Sequence, residues 1–293
     1  MNQTMPRLKP DPIPAIHPVA EIRADARLKA VYEQTKSALQ VPWMGVVTMA
    51  FAHYPTFYGT LWDGLRTVCE SAEFAAACRA LRVHVETAAA PLKPARLEGE
   101  LQALGYAEQE LDEIRDLIEV FSRGNMPYLM IATAARLLLE GHEVGRAGRL
   151  EPLVRRIASP AAARLVLMEA HHADAPTAAV YRDIKDTLGL PFVNTDYRAL
   201  ARWPSYFARA WADVREKVNS PAYEGIVQSV HAFALESWKT LPVPDRRGSA
   251  SLRAAAERDA PLDEVLAVVR LFQWLLPGLV VNVACFRAQI ELQ

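Results

Sequence analysis

The stretch VYEQTKSALQVPW, residues 31–43, recurs 149 residues later as VYRDIKDTLGLPF, residues 180–192. The match runs on: AFAHYPTFYGTLWDGLR, residues 50–66, lies over ALARWPSYFARAWADVR, residues 199–215. Between residues 24 and 66, 14 of 43 positions are identical to their partner, among them Tyr32/Tyr181, Lys36/Lys185, Pro42/Pro191, Pro55/Pro204, Trp62/Trp211 and Arg66/Arg215. Self-similarity over a fixed offset marks a duplicated structural unit. Fainter echoes follow, with Leu111-Asp112-Glu113 over Leu262-Asp263-Glu264 and Phe121 over Phe272. The reading is a tandem duplication: an N-terminal arm at 1–19, a first repeat at 20–140, a linker at 141–164 and a second repeat at 165–293.

Within the repeated stretch the apolar period is helical. Phe57, Leu61, Trp62, Leu65 and Val68 recur at steps of three and four, as do Tyr206, Ala210, Trp211, Val214 and Val218 in the twin. Pro55 and Pro204 sit near first turns, where a missing N–H costs little. Segments 108–121, 128–139 and 262–275 read the same way, and Ser220-Pro221 and Ala260-Pro261 read as helix starts. The expected fold is all-α, two related helical subdomains about a pseudo-twofold axis.

Composition agrees and narrows the function classes. Of 293 residues 51% are apolar and 23% charged, with 33 Lys+Arg against 34 Asp+Glu, a net charge of −1. That excludes a disordered chain, and it offers no basic excess for a nucleic-acid backbone. Residues 1–19 hold five prolines and no apolar stretch of signal length, so they read as an extended arm. The most apolar run, 271–285, is interrupted by Gln273, Pro277 and Asn282; it reads as a core helix rather than a membrane span. Cys69, Cys78 and Cys285 are odd in number and form no CxxC pair, which favours a reducing cytoplasm. The join at 141–160 carries Arg146, Arg149, Arg155 and Arg156, an exposed linker or an anion patch.

A duplicated scaffold provides its own control. Residues kept in both copies serve packing, so a polar residue in one copy alone calls for another explanation. After the shared proline the first copy has Trp43-Met44-Gly45-Val46-Val47, and the second has Phe192-Val193-Asn194-Thr195-Asp196. If Val46 and Val47 are core, Thr195 and Asp196 occupy core-like positions, where a carboxylate costs several kcal/mol without partners. The plain structural account makes Asn194 or Thr195 a helix N-cap and Asp196 a first-turn acid. A second difference sets Asn125, in Ser122-Arg123-Gly124-Asn125-Met126-Pro127, against a leucine in Gln273-Trp274-Leu275-Leu276-Pro277. Gly-Asn there also fits a loop before a helix start. Taken together, a one-sided Asn125 and a one-sided Asp196 meeting in a cleft lined by Trp43, Phe192 and Tyr128 would make a reactive site.

At Val41-Pro42-Trp43, at Gly124-Asn125-x-Pro-Tyr128-Leu129 and above all at 192–204, the chain resembles the group I 2-haloacid dehalogenases, which accept D and L substrates. The resemblance covers nearly the whole chain. It implies an all-α pseudo-dimer with its site between the halves, and hydrolysis of the carbon–halogen bond at C2 of a short carboxylic acid with inversion. It implies no cofactor and no metal. By position, Asp196 matches the water-activating aspartate and Asn125 its helper in holding that water. Trp43 and Thr195 match substrate-pocket positions, while Val46 stands where the family often has an aromatic residue, a change that widens the pocket, shifts substrate size or weakens activity.

The residue types suit that chemistry. Displacement of halide by water needs a base beside the attacking oxygen and a substrate held for backside approach. Apolar walls would raise the basicity of Asp196, and a helix N-terminus would lower it. The indole of Trp43 suits a departing halide; Thr195 and helix-start N–H groups suit the substrate carboxylate, with Arg198 as an alternative clamp. An ester intermediate on Asp196 remains a competing route. Asn194, Thr67 and Glu70 are further candidates, the last two one turn apart on the first long helix. His171-His172 with Asp174 could suggest a metal site, but adjacent histidines face different sides of a helix, and Asp174 has its counterpart in Asp25, where no histidine stands. The expected partners are a small halocarboxylic acid and water, with neither nucleic acid nor membrane, in a homodimer. A different hydrolase or lyase of small carboxylic acids, or a non-catalytic ligand-binding relative, are the alternatives.

Overall fold

The computed structural model describes residues 5–154, 165–244 and 248–290. Among them run twelve α-helices: α1 Ala26–Leu39, α2 Val46–Phe51, α3 Pro55–Cys69, α4 Ala72–Ala89, α5 Glu98–Ala103, α6 Glu108–Leu139, α7 Ala175–Leu188, α8 Thr195–Leu200, α9 Pro204–Lys217, α10 Pro221–Thr240, α11 Ser249–Asp259 and α12 Leu262–Gln289. No strand occurs among the described residues; two isolated bridges join Ser71 to Pro152 and Arg146 to Pro242. The fold is all-α. Helices α7, α8, α9 and α10 each begin 149 residues after α1, α2, α3 and α4.

The same local chemistry starts both copies. Asp25 accepts a hydrogen bond from the Leu28 N–H at 2.8 Å, and Asp174 one from Thr177 at 2.9 Å, so each caps its helix. That cap also holds the Asp174 carboxyl below its ordinary value, through its bonds with Thr177. Pro55 and Pro204 are first helical residues. The stripes read from sequence are the buried ones: Phe57, Leu61, Trp62, Leu65 and Val68 on α3, and Tyr206, Ala210, Trp211 and Val214 on α9. Each large apolar side chain so buried contributes roughly 1.5–3 kcal/mol. The two tryptophans differ: the Trp211 indole donates to Asp183 at 2.6 Å, whereas Trp62 Nε1 is buried without a partner. The position equivalent to Asp183 is Gln34.

The chain packs as two compact units, and neither is one half of the sequence. The first comprises 1–83, 123–157 and 228–278; the second comprises 84–122, 158–227 and 279–293. Four of the five boundaries fall inside α4, α6, α10 and α12, and the fifth lies outside the described residues. In the first unit α3 packs most extensively on α11. There Asp259, at the end of α11, accepts from the Phe57 N–H at 2.7 Å, satisfying a first-turn donor of α3, and Tyr54 donates to Glu264 at 3.0 Å. In the second unit the Tyr106 hydroxyl does the same for α9, accepting from the Tyr206 N–H at 3.2 Å. Each repeat's third helix is therefore finished by a residue of the other repeat.

The arm is pinned along the first unit. Arg136, on α6, donates to the Pro6 carbonyl at 2.9 Å; His231, on α10, donates to the Met5 carbonyl at 2.8 Å. Arg7 donates to the Trp274 carbonyl at 2.9 Å, and both Arg7 and Lys9 lie over the Trp274 ring at 5.3 Å. The join is anchored too. Gly145, at φ 71°, donates to the Trp238 carbonyl, and Arg146 exchanges backbone bonds with Leu241 and Val243. A Cβ at Gly145 would stand 2.2 Å from Val243, so only glycine fits. Arg155, Arg156 and the rest of 155–164 lie outside the described residues.

One expectation needs correction, and one is met at greater length than the sequence suggested. Residues 122–127 are not a loop: α6 is one 32-residue helix with Pro127 inside it, so Asn125 stands mid-helix. Pro127 brings no N–H to the helix ladder, and the buried Met126, Leu129 and Met130 hold the helix through the breakers. The apolar run near the C-terminus belongs to a 28-residue helix, long and apolar enough to cross a membrane by length and composition. Its most apolar window is 78% buried within the protein, which makes α12 a core helix.

Candidate active site

In the first unit, Trp43 and Tyr128 form one cluster. Their rings lie 5.8 Å apart, and the Tyr128 hydroxyl donates to the Trp43 carbonyl at 2.6 Å. Burial pushes the Tyr128 phenol well above its ordinary value, so it is a donor throughout. Two glycines make room for the pair. A Cβ on Gly124 would stand 2.3 Å from Trp43 Cη2, and one on Gly45 would stand 2.9 Å from Tyr128 Cε1. Sequence reasoning missed both glycines, because the need for them arises only from where the two rings come to rest. Asn125 follows Gly124 and is 4% exposed. Val46, first residue of α2, is half-buried, while Val47 is 3% exposed. Thr67 and Glu70 lie on the exposed side at the end of α3, outside the Trp43–Tyr128 cluster.

In the second unit, Asn194, Thr195 and Asp196 open the six-residue α8. Asp196 is 3% exposed, as buried as its counterpart Val47. Asn194 holds the N-cap position, with extended backbone, yet its side chain makes no capping bond and its buried Oδ1 has no hydrogen-bond partner. Capping therefore does not explain this asparagine. An unsatisfied buried carbonyl costs about 1–3 kcal/mol, the kind of deficit that a ligand donor would relieve. Thr195 is buried beside it and Phe192 is half-buried. Arg198 turns to Glu169, donating from Nη1 to both carboxylate oxygens at 2.8 and 2.9 Å. As a carboxylate clamp it would have to leave that pair.

No group of three or more His, Cys, Asp or Glu among the described residues could hold a metal ion. His171 and His172 are exposed, and Asp174 is occupied as a helix cap. Cys69, Cys78 and Cys285 are free thiols.

A family model described as halocarboxylic acid dehydrogenase DehI matches residues 42–192, slightly more than half of the chain. The chain is 44% identical to an (R)-2-haloacid dehalogenase of Rhizobium sp. (strain NHG3), over 83% of its own length and 94% of that protein's. It is 35% identical to an (R)-2-haloacid dehalogenase of Pseudomonas putida, over 94% of its length and 92% of the relative's. A configuration-inverting 2-haloacid dehalogenase of Pseudomonas sp. (strain 113) matches at 24%, over 82% and 78%. Among solved structures, a D-2-haloacid dehalogenase mutant in complex with D-2-CPA superposes with TM-score 0.87 at 33% identity, covering 98% of this chain and 99% of that one. A complex of a D-2-haloacid dehalogenase with L-LA superposes with TM-score 0.86 at the same identity and coverage. The more similar relatives thus bear (R) or D names, a different group from the one accepting both configurations that the motifs suggested. With the family model spanning half its residues and relatives of this identity along most of its length, the chain belongs to the DehI family of 2-haloacid dehalogenases.

Proposed function

We propose that the chain hydrolyses short (R)-2-haloalkanoic acids to the 2-hydroxy acids of opposite configuration. The observation that carries this reading is Asp196, a carboxylate only 3% exposed in the first turn of α8, where the other copy holds a valine. Water attacks C2 opposite the halide, the carbon–halogen bond breaks as the carbon–oxygen bond forms, and Asp196 takes the water's proton. The role of holding that water is assigned to Asn125 by its match to the family motif. Thr195, with the N–H groups opening α8, receives the substrate carboxylate, and the Asn194 carbonyl awaits a donor beside it. Trp43, packed on Tyr128, offers its indole to the departing halide, with Val46 and Phe192 as apolar walls.

Preference for the (R) acid is supported by identities of 44% and 35% to relatives named for it, against 24% to the configuration-inverting one. Inversion is supported by the D and L ligands of the two solved relatives, the configurations that such a displacement connects. A cytoplasmic homodimer goes with this reading, in keeping with three free thiols.

The test is halide release from D- and L-2-chloropropionate and from monobromoacetate at mildly alkaline pH. Release from the D acid with formation of the L hydroxy acid is the expected result; release from none of the three overturns the proposal. A single turnover in oxygen-18 water decides the route, because label entering the protein carboxylate would establish an ester intermediate in place of direct attack.

A further inference from the structure

Asn282 is a lone amide in a helix stretch that is otherwise apolar, between the buried Val280, Val281 and Val283, and it is 1% exposed. Both ends of the amide are engaged within the second unit. Its Oδ1 accepts from the Tyr223 hydroxyl, on α10, at 2.8 Å, and its Nδ2 donates to the Tyr197 hydroxyl, on α8, at 2.9 Å. A leucine has the same branching and needs no partners, so an apolar core alone does not call for an amide here. A satisfied amide adds direction, fixing where both tyrosine hydroxyls stand.

The duplication shows that this node is one-sided. The counterpart of Tyr223 is Phe74, buried and without a hydroxyl. Counting from the interior prolines of α6 and α12, the counterpart of Asn282 is Ala132. The counterpart of Tyr197 is Thr48, whose hydroxyl donates to the Gly45 carbonyl of its own turn. The node therefore occurs in the copy that carries Asp196 and not in the other. Tyr197 directly follows Asp196, and its ring stands between Trp211, at 5.7 Å, and Phe286, at 6.0 Å. Helix α8 has six residues and no side-chain cap, so it depends on such outside contacts for its orientation.

We propose that Asn282, held by Tyr223, is the positioning residue that fixes Tyr197 and so orients α8 and its Asp196 carboxylate for attack. The proposal rests on the reading of Asp196 as base. Burial, with the charge of Asp196 nearby, keeps the Tyr197 phenol protonated, so the node stays intact across the working pH range.

Two variants test it. Asn282→Leu keeps the branching and removes both bonds; a sub-ångström shift of the base then lowers kcat about 10- to 100-fold with KM within about twofold. Asn282→Asp can accept from both tyrosine hydroxyls, so it recovers most of kcat, while its added charge moves the acid limb of the kcat–pH profile upward. Hydrogen exchange of amides 195–200 in the leucine variant rises about tenfold over wild type. Wild-type kcat in Asn282→Leu, or a loss that Asn282→Asp does not recover, overturns the positioning role. If the wild type itself releases no halide, the catalytic reading has failed, and unchanged exchange in α8 then overturns the support as well.

Discussion

Protonation of His231 is the perturbation whose effect the structure specifies most closely. The imidazole is 3% exposed; Nε2 donates to the Met5 carbonyl, and Nδ1 accepts from Gln273 Nε2 at 2.6 Å. The amide cannot turn round, because its Oε1 accepts from Arg136 Nη1 at 2.6 Å. Arg136 in turn is held by Glu140, which also takes Arg270 at 2.8 Å. A second proton on the ring would set N–H against N–H at Nδ1. Burial, and then the charges of Arg136 and Arg7, accordingly hold the His231 pKa below its ordinary 6.5.

The unfolded chain therefore takes up a proton below pH 6.5 that the folded chain refuses. Stability from this residue is full above that value and falls as pH drops, at up to about 1.4 kcal/mol per pH unit, until the folded ring itself titrates. Between pH 7 and pH 5 the loss is at most about 2 kcal/mol, and smaller the sooner the folded ring titrates. Urea titrations of wild type and His231→Gln across this window measure it, the difference in unfolding free energy between the two chains changing by that amount. Parallel stability curves for the two proteins, or an NMR titration placing the ring at or above 6.5, would refute the assignment.

Three further outcomes are expected. Gly124→Ala drives a methyl into Trp43 and costs about 1–3 kcal/mol, with halide release reduced about tenfold or more; wild-type turnover would show that Trp43 can give way without consequence. Asp259→Ala strands the Phe57 N–H by removing a charged acceptor, and Tyr106→Phe strands the Tyr206 N–H by removing a neutral one; urea unfolding should show a loss of about 1.5–3 kcal/mol for the first and about 1 kcal/mol for the second. Asp196→Asn abolishes turnover while the helical circular dichroism stays as in wild type; retained halide release would remove Asp196 from the role of base.

Helix positions in the repeated part were legible because each stripe buries its own residues whatever it packs against, and because Pro55 and Pro204 mark starts without disturbing the later turns. The break expected at 122–127 was misleading for a physical reason. Gly124 and Pro127 weaken a helix in isolation, but here the flanking residues are sealed by tertiary packing that local sequence does not report. The origin of each helix's partner was equally hidden. Periodicity on α3 shows which face is buried and carries no information that α11 supplies the other side. The burial of Asp196 could be inferred through Val47, its apolar twin. The need for Gly45 and Gly124 could not, because it arises only where Trp43 and Tyr128 come to rest.

The exchange of segments between repeats delays burial during synthesis. Helix α3 leaves the ribosome with Phe57, Leu61 and Leu65 exposed, and its partner α11 is not complete until residue 259 has been added. At ~5–20 residues per second, that stripe waits roughly 10–40 s without its cover. A nascent chain halted after the first repeat would have α1 and α2 to set against α3 but not α11, its most extensive partner. An apolar stripe left open for that interval is the kind of surface that a holding chaperone covers.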